Sequence, residues 1–272
     1  VRTEAPFEVI VVDNASTDGS PDMVDREFPW VRLLRQSRNL GFSAGHNLAM
    51  RHRLGKHVFL LNSDTTVHPG AIRTLLNQVA LRADAGILGP KILNPDGTLQ
   101  LSCRRFPSLI APLFRNTILG RLFPRNRYVR EYLMQDYDHS SPQEVDWLSG
   151  AALLATEPFI ERVGGLDESY FMYCEEMDWC WRAHAAGFSV WYIPQATVTH
   201  AIGRSTDQMV NRMIWQHRTS MLLFFRKHML SRYPAGLRRL LYWLAVVGLS
   251  ARALAYILKN WFDASLRWLK RR

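Results

Sequence analysis

The sequence predicts an α/β protein: a Rossmann-like, mostly parallel sheet with helices on both faces, followed by a basic helical extension. Three observations carry that expectation. Short apolar, β-branched runs alternate with helical patterns through the first two-thirds of the chain, the rhythm of βαβ units. Clusters of acids and amides directly follow several of the apolar runs, where open parallel sheets bind their ligands. Charge is also unevenly divided: from Arg204 onward Lys and Arg are opposed only by Asp207 and Asp263, while the preceding part is close to neutral.

The elements follow in order. Residues 8–12 form a strand ending in Asp13-Asn14, and 30–34 form a second. A helical pattern spans 43–54 and a strand 57–61. Pro69 opens a helix over 71–83, since its fixed φ suits a first turn. A strand over 86–91 leads to Asn94-Pro95-Asp96-Gly97, a hairpin signal before 98–101. Residues 104–141, rich in Arg, Pro and aromatics, are read as a long loop or lid. Regular structure resumes over 145–155, then come helices over 157–163 and 176–186, the second ended by Gly187. Strand patterns at 188–193 and 196–199 precede a wholly helical stretch after Gly203.

With 272 residues, 47% hydrophobic and 21% charged, the chain fits one large domain with an appendage. Its three cysteines, Cys103, Cys174 and Cys180, are too few and scattered for a disulfide framework or zinc site, and suit a reducing cytoplasm. No signal-peptide pattern is visible, and Val1 is not an initiator methionine.

Three polar clusters are candidates for chemistry. Asp13-Asn14, with Ser16, Thr17 and Asp18 beyond, can read a base edge and a ribose hydroxyl; the alternative is a turn and helix cap. Asn62-Ser63-Asp64 ends a strand with an acid able to hold Mg²⁺ or Mn²⁺ while diphosphate oxygens complete an octahedron; a capping aspartate is the alternative. Glu175 and Glu176 open a helix, where the macrodipole favours acids, and aromatics crowd both sides. Adjacent residues cannot share a helix face, which suits one carboxylate aimed into a pocket and another acting structurally. Asp178 and Arg182, spaced i and i+4, read as a structural pair. His200, at a strand end, is a neutral imidazole ligand or a structural histidine.

Taken together, the segments VIVVDNASTDGS (9–20), NLGFSAGHNLA (39–49), LLNSDTTVHPGA (60–71), WLSGAALLAT (147–156), GGLDESYFMYCEEMDWCWRAHAAG (164–187) and THAIGRST (199–206) resemble the family 2 glycosyltransferases of GT-A fold, in particular the rhamnosyltransferase-like branch. The resemblance implies a nucleotide-diphosphate-sugar donor, dTDP-L-rhamnose or a UDP-sugar, held by Asp13, Asn14, Asn39, Gly41, Gly45, Asn47, Asn62 and Ser63. Asp64 and His200 would hold the metal, with Asn62 where the family's motif has its first acid. Glu176, with Glu175 beside it, stands at the catalytic base, where Asp is more usual. Trp147, Gly150 and Asp167 would line the site of a glycan or lipid-linked acceptor. The implied reaction is a single displacement with inversion, in cell-surface polysaccharide synthesis. A catalytically silent nucleotide-sugar-binding or scaffold protein is the alternative. The resemblance also leads to the expectation of a further strand and helix upstream of Val1, with a catalytic domain over 1–206 and an extension over 207–272.

The extension's basic residues suit nucleic acid or an anionic membrane, and the interleaved Leu, Trp and Phe favour the membrane and exclude nucleic acid. Residues 240–251 are uncharged but too short to span a core of about 30 Å. Arg252 then interrupts the pattern, and an arginine at the middle of a span costs about 2.5–3.5 kcal/mol. The expectation is therefore a pair of interfacial helices anchored by Trp243, Trp261 and Trp268, peripheral on the cytoplasmic face of the inner membrane. A single tilted span, a soluble cap and a homodimer surface are the alternatives.

Overall fold

The computed structural model describes residues 6–108, 122–123, 126–201 and 210–269. The 206/207 boundary, Asp207 and the end of the last matching segment lie outside the described residues, as does the side chain of Trp268. The elements run β1 (Ile10–Asp13), α1 (Ser20–Glu27), β2 (Arg32–Arg35), α2 (Phe42–Arg51), β3 (Val58–Leu61), β4 (Thr65–Val67), α3 (Ala71–Leu81) and β5 (Ala85–Leu93). They continue as β6 (Leu99–Gln100), β7 (Cys103–Arg104), α4 (Arg127–Tyr132), β8 (Gln143–Glu144), β9 (Trp147–Leu148), β10 (Ala152–Ala155), α5 (Glu157–Val163), α6 (Glu175–Ala185) and β11 (Ser189–His200). Two helices follow, α7 (Val210–Phe224) and α8 (Ala235–Leu269), joined by a π-helical turn at Phe225–Met229 and a 3-10 turn at Leu230–Arg232.

The α/β frame has a parallel spine. β1 pairs with β2 and β5 with β11 in parallel, and β3, β10, β4, β6 and β8 join the larger sheet through antiparallel ladders. Among the described residues, β1 pairs only with β2, and β3 only with β10.

Successive side chains of the central strands enter opposite layers, as the pleat requires. Ile87, Leu153 and Tyr192 join one core with Phe159 of α5 and Trp179 of α6. Their neighbours Leu88, Leu154 and Ile193 join a second core with Ala71 and Leu75 of α3. Helices therefore cover both faces.

Two irregularities prepare the site. β11 follows β5 from Ser189 to Ile193, then its register slips across Pro194, Gln195 and Ala196 before pairing resumes at Thr197. Proline supplies no N–H to a ladder, and Pro90 and Pro194 both fall at this slip. The two strand patterns of the sequence are thus one strand with a displaced end. The stretch 145–155 is instead divided: β9 pairs with β7, and β10 with β3 and β5, leaving Gly150-Ala151 as the bend between them.

The expected extension differs most. α7 is part of the main core: Phe224 is fully buried and meets Phe106 at 6.4 Å and Trp181 at 5.8 Å. Ser220 Oγ donates to Met172 O at 2.7 Å, and His228 Nε2 lies 2.6 Å from Asp178 Oδ1. Asp178 also receives Arg182 Nε at 2.7 Å, the expected i, i+4 pair. In packing terms the appendage begins at α8, and it is one continuous helix rather than a pair. One side of α8 packs on α7 through Leu249, with Arg218 Nε donating to Ser250 Oγ at 2.8 Å. Its other side exposes Leu240, Trp243, Leu244, Val247, Leu254 and Leu258. The stretch Ala235–Phe262 is, by length and composition, long and apolar enough to cross a membrane.

Removing a fully buried aromatic from a core costs about 3–5 kcal/mol. Phe224→Ala is expected to lose that much in urea unfolding; a loss under about 1 kcal/mol would make α7 an appendage after all.

Candidate active site

The register of β4 against β11 builds the first part of the site. Thr65 stands opposite His200, so the preceding Asp64 meets the end of β11, and Ala201 N donates to Asp64 O at 2.9 Å. The side chains then face each other, with His200 Nε2 3.2 Å from Asp64 Oδ1. Two ligands set at right angles on an octahedral ion, each about 2.1 Å away, lie about 3 Å apart. The separation therefore fits a small divalent cation. The other ring nitrogen, His200 Nδ1, is 2.8 Å from Gln100 Oε1, and Gln100 Nε2 donates to Asn94 Oδ1 at 2.9 Å. That chain assigns a proton to Nδ1 and turns Nε2 toward Asp64, the orientation a metal-binding histidine needs. Among the described residues no group of three or more His, Cys, Asp or Glu converges. Were a cation held here, Asp64 and His200 would be the protein's two ligands and the rest of its shell would fall to substrate oxygens and water.

The second part is a buried carboxylate. Tyr173 and Cys174 both adopt left-handed backbone conformations, φ 70° and 67°, immediately before α6. Such conformations are costly for residues with a Cβ and gather at functional sites. They turn the chain so that Glu176 lines a cavity of about 210 Å³ with Arg104, Trp147, Tyr173, His217, Met221 and Arg252. Burial pushes the Glu176 carboxyl above its usual range, against the N–H groups of Glu176, Gly150 and Met177 and the charge of Arg104. Its Oε2 has no hydrogen-bond partner. Glu175 is raised further, by burial and then by the charge of Glu176, and only its own N–H opposes the shift. Glu176 has more donors around it than Glu175. Glu175 is not among the residues lining the cavity.

The two parts are joined through the backbone. Asn62 N donates to Ala151 O at 3.0 Å, extending the β3–β10 ladder by one step. Gly150, the next residue, is so close to Glu176 that a Cβ there would lie 3.5 Å from the glutamate's own. A second link runs from Gln100 to Ser102, whose carbonyl accepts from Ser149 N at 2.8 Å. The strand end that carries Asp64 is thus tied through Asn62, Ala151 and Gly150 to the residue that touches Glu176.

The loop before α2 was expected to hold the donor; the structure gives most of its polar groups internal partners. Asn39 Oδ1 accepts from Gly41 N at 2.8 Å, and Asn14 bridges Leu40 N and Gly41 O, both at 3.3 Å. Gly41, at φ 84°, lies where a Cβ would come within 2.5 Å of Phe171 O, so no side chain fits. Gly45 likewise admits Asn14, whose Nδ2 would be 3.3 Å from a Cβ. Asn47 is fully used: Oδ1 accepts from Leu166 N at 2.9 Å, and Nδ2 donates to Leu166 O at 2.7 Å and Glu168 Oε1 at 2.9 Å. Asn47, together with Phe42 N donating to Phe171 O at 2.7 Å, clamps α2 onto the 164–171 segment. Asp13 is buried at the tip of β1, one carboxylate oxygen accepting from Ser16 N at 3.0 Å. Ser63 is exposed beside Asp64.

Of the three residues expected at the acceptor, two border the cavity. Trp147 lines it, its Nε1 donating to Arg105 O at 3.0 Å, and Gly150 touches Glu176. Asp167 does other work. It receives Ser169 Oγ at 2.6 Å and pairs with Lys227 of the π-helical turn. Burial would raise its carboxyl, yet Lys227 and Ser169 outweigh that and hold it at about 2. It is a tie between the catalytic loop and the C-terminal helices.

A β-sheet whose tips carry an acid–histidine pair and a separate buried carboxylate suits sugar transfer from a nucleotide. The family model described as "Glycosyltransferase like family 2" matches residues 2–219. The chain belongs to the family 2 glycosyltransferases. That match runs into α7, in keeping with its burial. The chain is 35% identical over 250 residues to N-acetylglucosaminyl-diphospho-decaprenol L-rhamnosyltransferase of Mycobacterium tuberculosis, covering 88% of this chain and 80% of the relative. It is 32% identical over 202 residues to rhamnosyltransferase WbbL of Escherichia coli, covering 70% of this chain and 72% of that one. Among solved structures it resembles the mannosyltransferase PcManGT of Pyrobaculum calidifontis in complex with GDP-Man and Mn²⁺, with a TM-score of 0.53 and 18% identity over 96% of this chain and 70% of that one. That likeness shows the GT-A fold.

For a member of this family the site includes groups the motifs did not mark. Gln100 sits in a two-residue strand and has no motif neighbour. His217, Met221 and Arg252 come from the C-terminal helices and line the cavity with Glu176. One signal did exist: a lone charge inside an apolar helix is a functional-site hypothesis by default, and Arg252 is such a charge.

Gln100→Leu removes the group that orients His200, and loss of such a partner weakens metal binding by about 10–100-fold; Mn²⁺ titration by calorimetry checks this, and unchanged affinity would contradict the tautomer assignment. Because a base works deprotonated, activity should fall as pH drops through the raised Glu176 value. At saturating metal, kcat/KM is expected to show an acidic limb clearly above the ordinary glutamate value of about 4.3.

Proposed function

We propose that the chain is a metal-dependent, inverting glycosyltransferase that moves a deoxysugar, L-rhamnose by its relatives, from a dTDP or UDP donor. The acceptor is a lipid-linked diphospho-sugar presented at the cytoplasmic face of the membrane, and the product belongs to a cell-surface polysaccharide. The observation that carries the reading is the pairing of Asp64 with His200 on a strand end that is tied through Asn62, Ala151 and Gly150 to Glu176. The relatives of M. tuberculosis and E. coli, both rhamnosyltransferases by name, support the sugar, and the first also supports a diphospho-polyprenol acceptor.

Asp64 and His200 are the residues to hold Mg²⁺ or Mn²⁺, which when bound neutralises charge growing on the departing diphosphate. Asp13, at the tip of β1, and Asn62 and Ser63, beside Asp64, are placed to meet the nucleoside and diphosphate. Glu176 takes the proton of the acceptor hydroxyl. The freed oxygen forms its bond to the anomeric carbon as the bond from that carbon to the diphosphate oxygen breaks. One displacement inverts the anomeric centre, and no second carboxylate is required as a nucleophile. Desolvation makes Glu176 a stronger base than an ordinary glutamate.

The test is transfer from a panel of nucleotide sugars to a short-chain N-acetylglucosaminyl-diphospho-lipid with Mn²⁺. Removing a positioned base lowers the rate by about 10²–10⁴-fold. Glu176→Gln is expected to show that loss with donor affinity kept, and Asp64→Ala to lose both. Binding without turnover for every donor would instead identify a silent nucleotide-sugar-binding protein.

A further inference from the structure

α8 carries one charge between Arg239 and Lys259, and that charge is Arg252. The helix turns it away from the exposed stripe of Leu240, Trp243, Leu244, Val247, Leu254 and Leu258. Arg252 instead lines the cavity that holds Glu176. Its guanidinium lies 5.7 Å from the Tyr256 ring, and no carboxylate among the described residues pairs with it. Arg104 enters the same cavity from β7, 5.6 Å over the Trp147 ring. Glu176 is the one acid in that lining, beside two guanidinium groups and His217.

This charge balance is wrong for a pocket that takes only a neutral sugar. Asp64 and His200, the pair proposed for the donor's metal, are outside this lining. Guanidinium groups recognise phosphate through paired donors. We propose that Arg252, with Arg104, forms a subsite for the diphosphate of the acceptor, placing the sugar hydroxyl at Glu176 while the lipid leaves along the apolar stripe of α8. The proposal rests on the reading of Glu176 as the base that receives an acceptor alcohol. It adds that the anionic linker, and not the sugar alone, is bound by this chain. Arg252 is a positioning residue: it holds the acceptor and touches no reacting atom.

Binding can be read apart from turnover. In metal-free buffer, with the full chain in neutral detergent, geranyl diphosphate is titrated against tryptophan fluorescence. Arg252→Gln is expected to weaken binding at least 10-fold, Arg252→Lys to recover part of it, and Asp64→Ala to leave it unchanged. In the transfer assay, Arg252→Gln should raise KM for a diphospho-lipid acceptor at least 10-fold. It should leave KM for the donor, and for a phosphate-free octyl glycoside of the same sugar, within twofold. Equal geranyl diphosphate binding by wild type and Arg252→Gln overturns the subsite. So does loss of binding to phosphatidylglycerol vesicles alone, which assigns Arg252 to membrane headgroups. If wild type binds geranyl diphosphate through Arg252 but transfers no sugar, the subsite stands and the glycosyltransfer reading fails.

Discussion

The constraint on which the site depends is the antiparallel register that sets Thr65 across from His200. Every residue pair in a strand ladder fixes the face of its neighbours, so a one-residue slip would turn Asp64 away from the imidazole. The slip across Pro194, Gln195 and Ala196 lies between the part of β11 that pairs with β5 and the part that meets β4. A two-proline irregularity thus separates two jobs of one strand: its first half builds the core, and its displaced end presents His200 to Asp64. Gln100 then settles which nitrogen is presented.

Much of the frame was legible in the sequence because its signals are local. Apolar runs ending in Asp13 and Asp64, the cap at Gly187 and the hairpin at Gly97 depend on residues close in the chain, and the structure has strands and turns there. Pairing partners are not local. Nothing near Asn62 says that its N–H meets Ala151, and nothing near Asn47 says that its amide embraces the backbone of Leu166. The motif around Asn39, Gly41, Gly45 and Asn47 marked a real structural centre, but both polar groups of the Asn47 amide are spent on holding α2 against the loop that leads to Glu176. A motif records that a residue matters, and geometry decides whether it matters to the ligand or to the scaffold.

The C-terminal helices show the same limit from another side. Composition from Arg204 onward pointed to an appendage, because net charge is visible in sequence and burial is not. Yet Phe224 is as buried as any core residue, and Ser220, Lys227 and His228 all bind to the 167–178 segment. The strained turn at Tyr173 and Cys174 is buttressed by α7, with Cys174 Sγ 3.3 Å from Met221 Sδ and the His217 ring 5.5 Å from Tyr173. Backbone strain persists only where surrounding contacts over-determine it, and here part of that enclosure comes from the far end of the chain.

α8 therefore has a double allegiance. Its outer stripe favours a greasy environment, while its inner side closes the chamber around a buried acid. Whatever surrounds the outer stripe, whether bilayer, micelle or a fusion partner that masks it, also sets how firmly that inner wall is seated. Solubilising the protein by trimming its end would then strip away a wall of the cavity around Glu176 along with the exposed stripe.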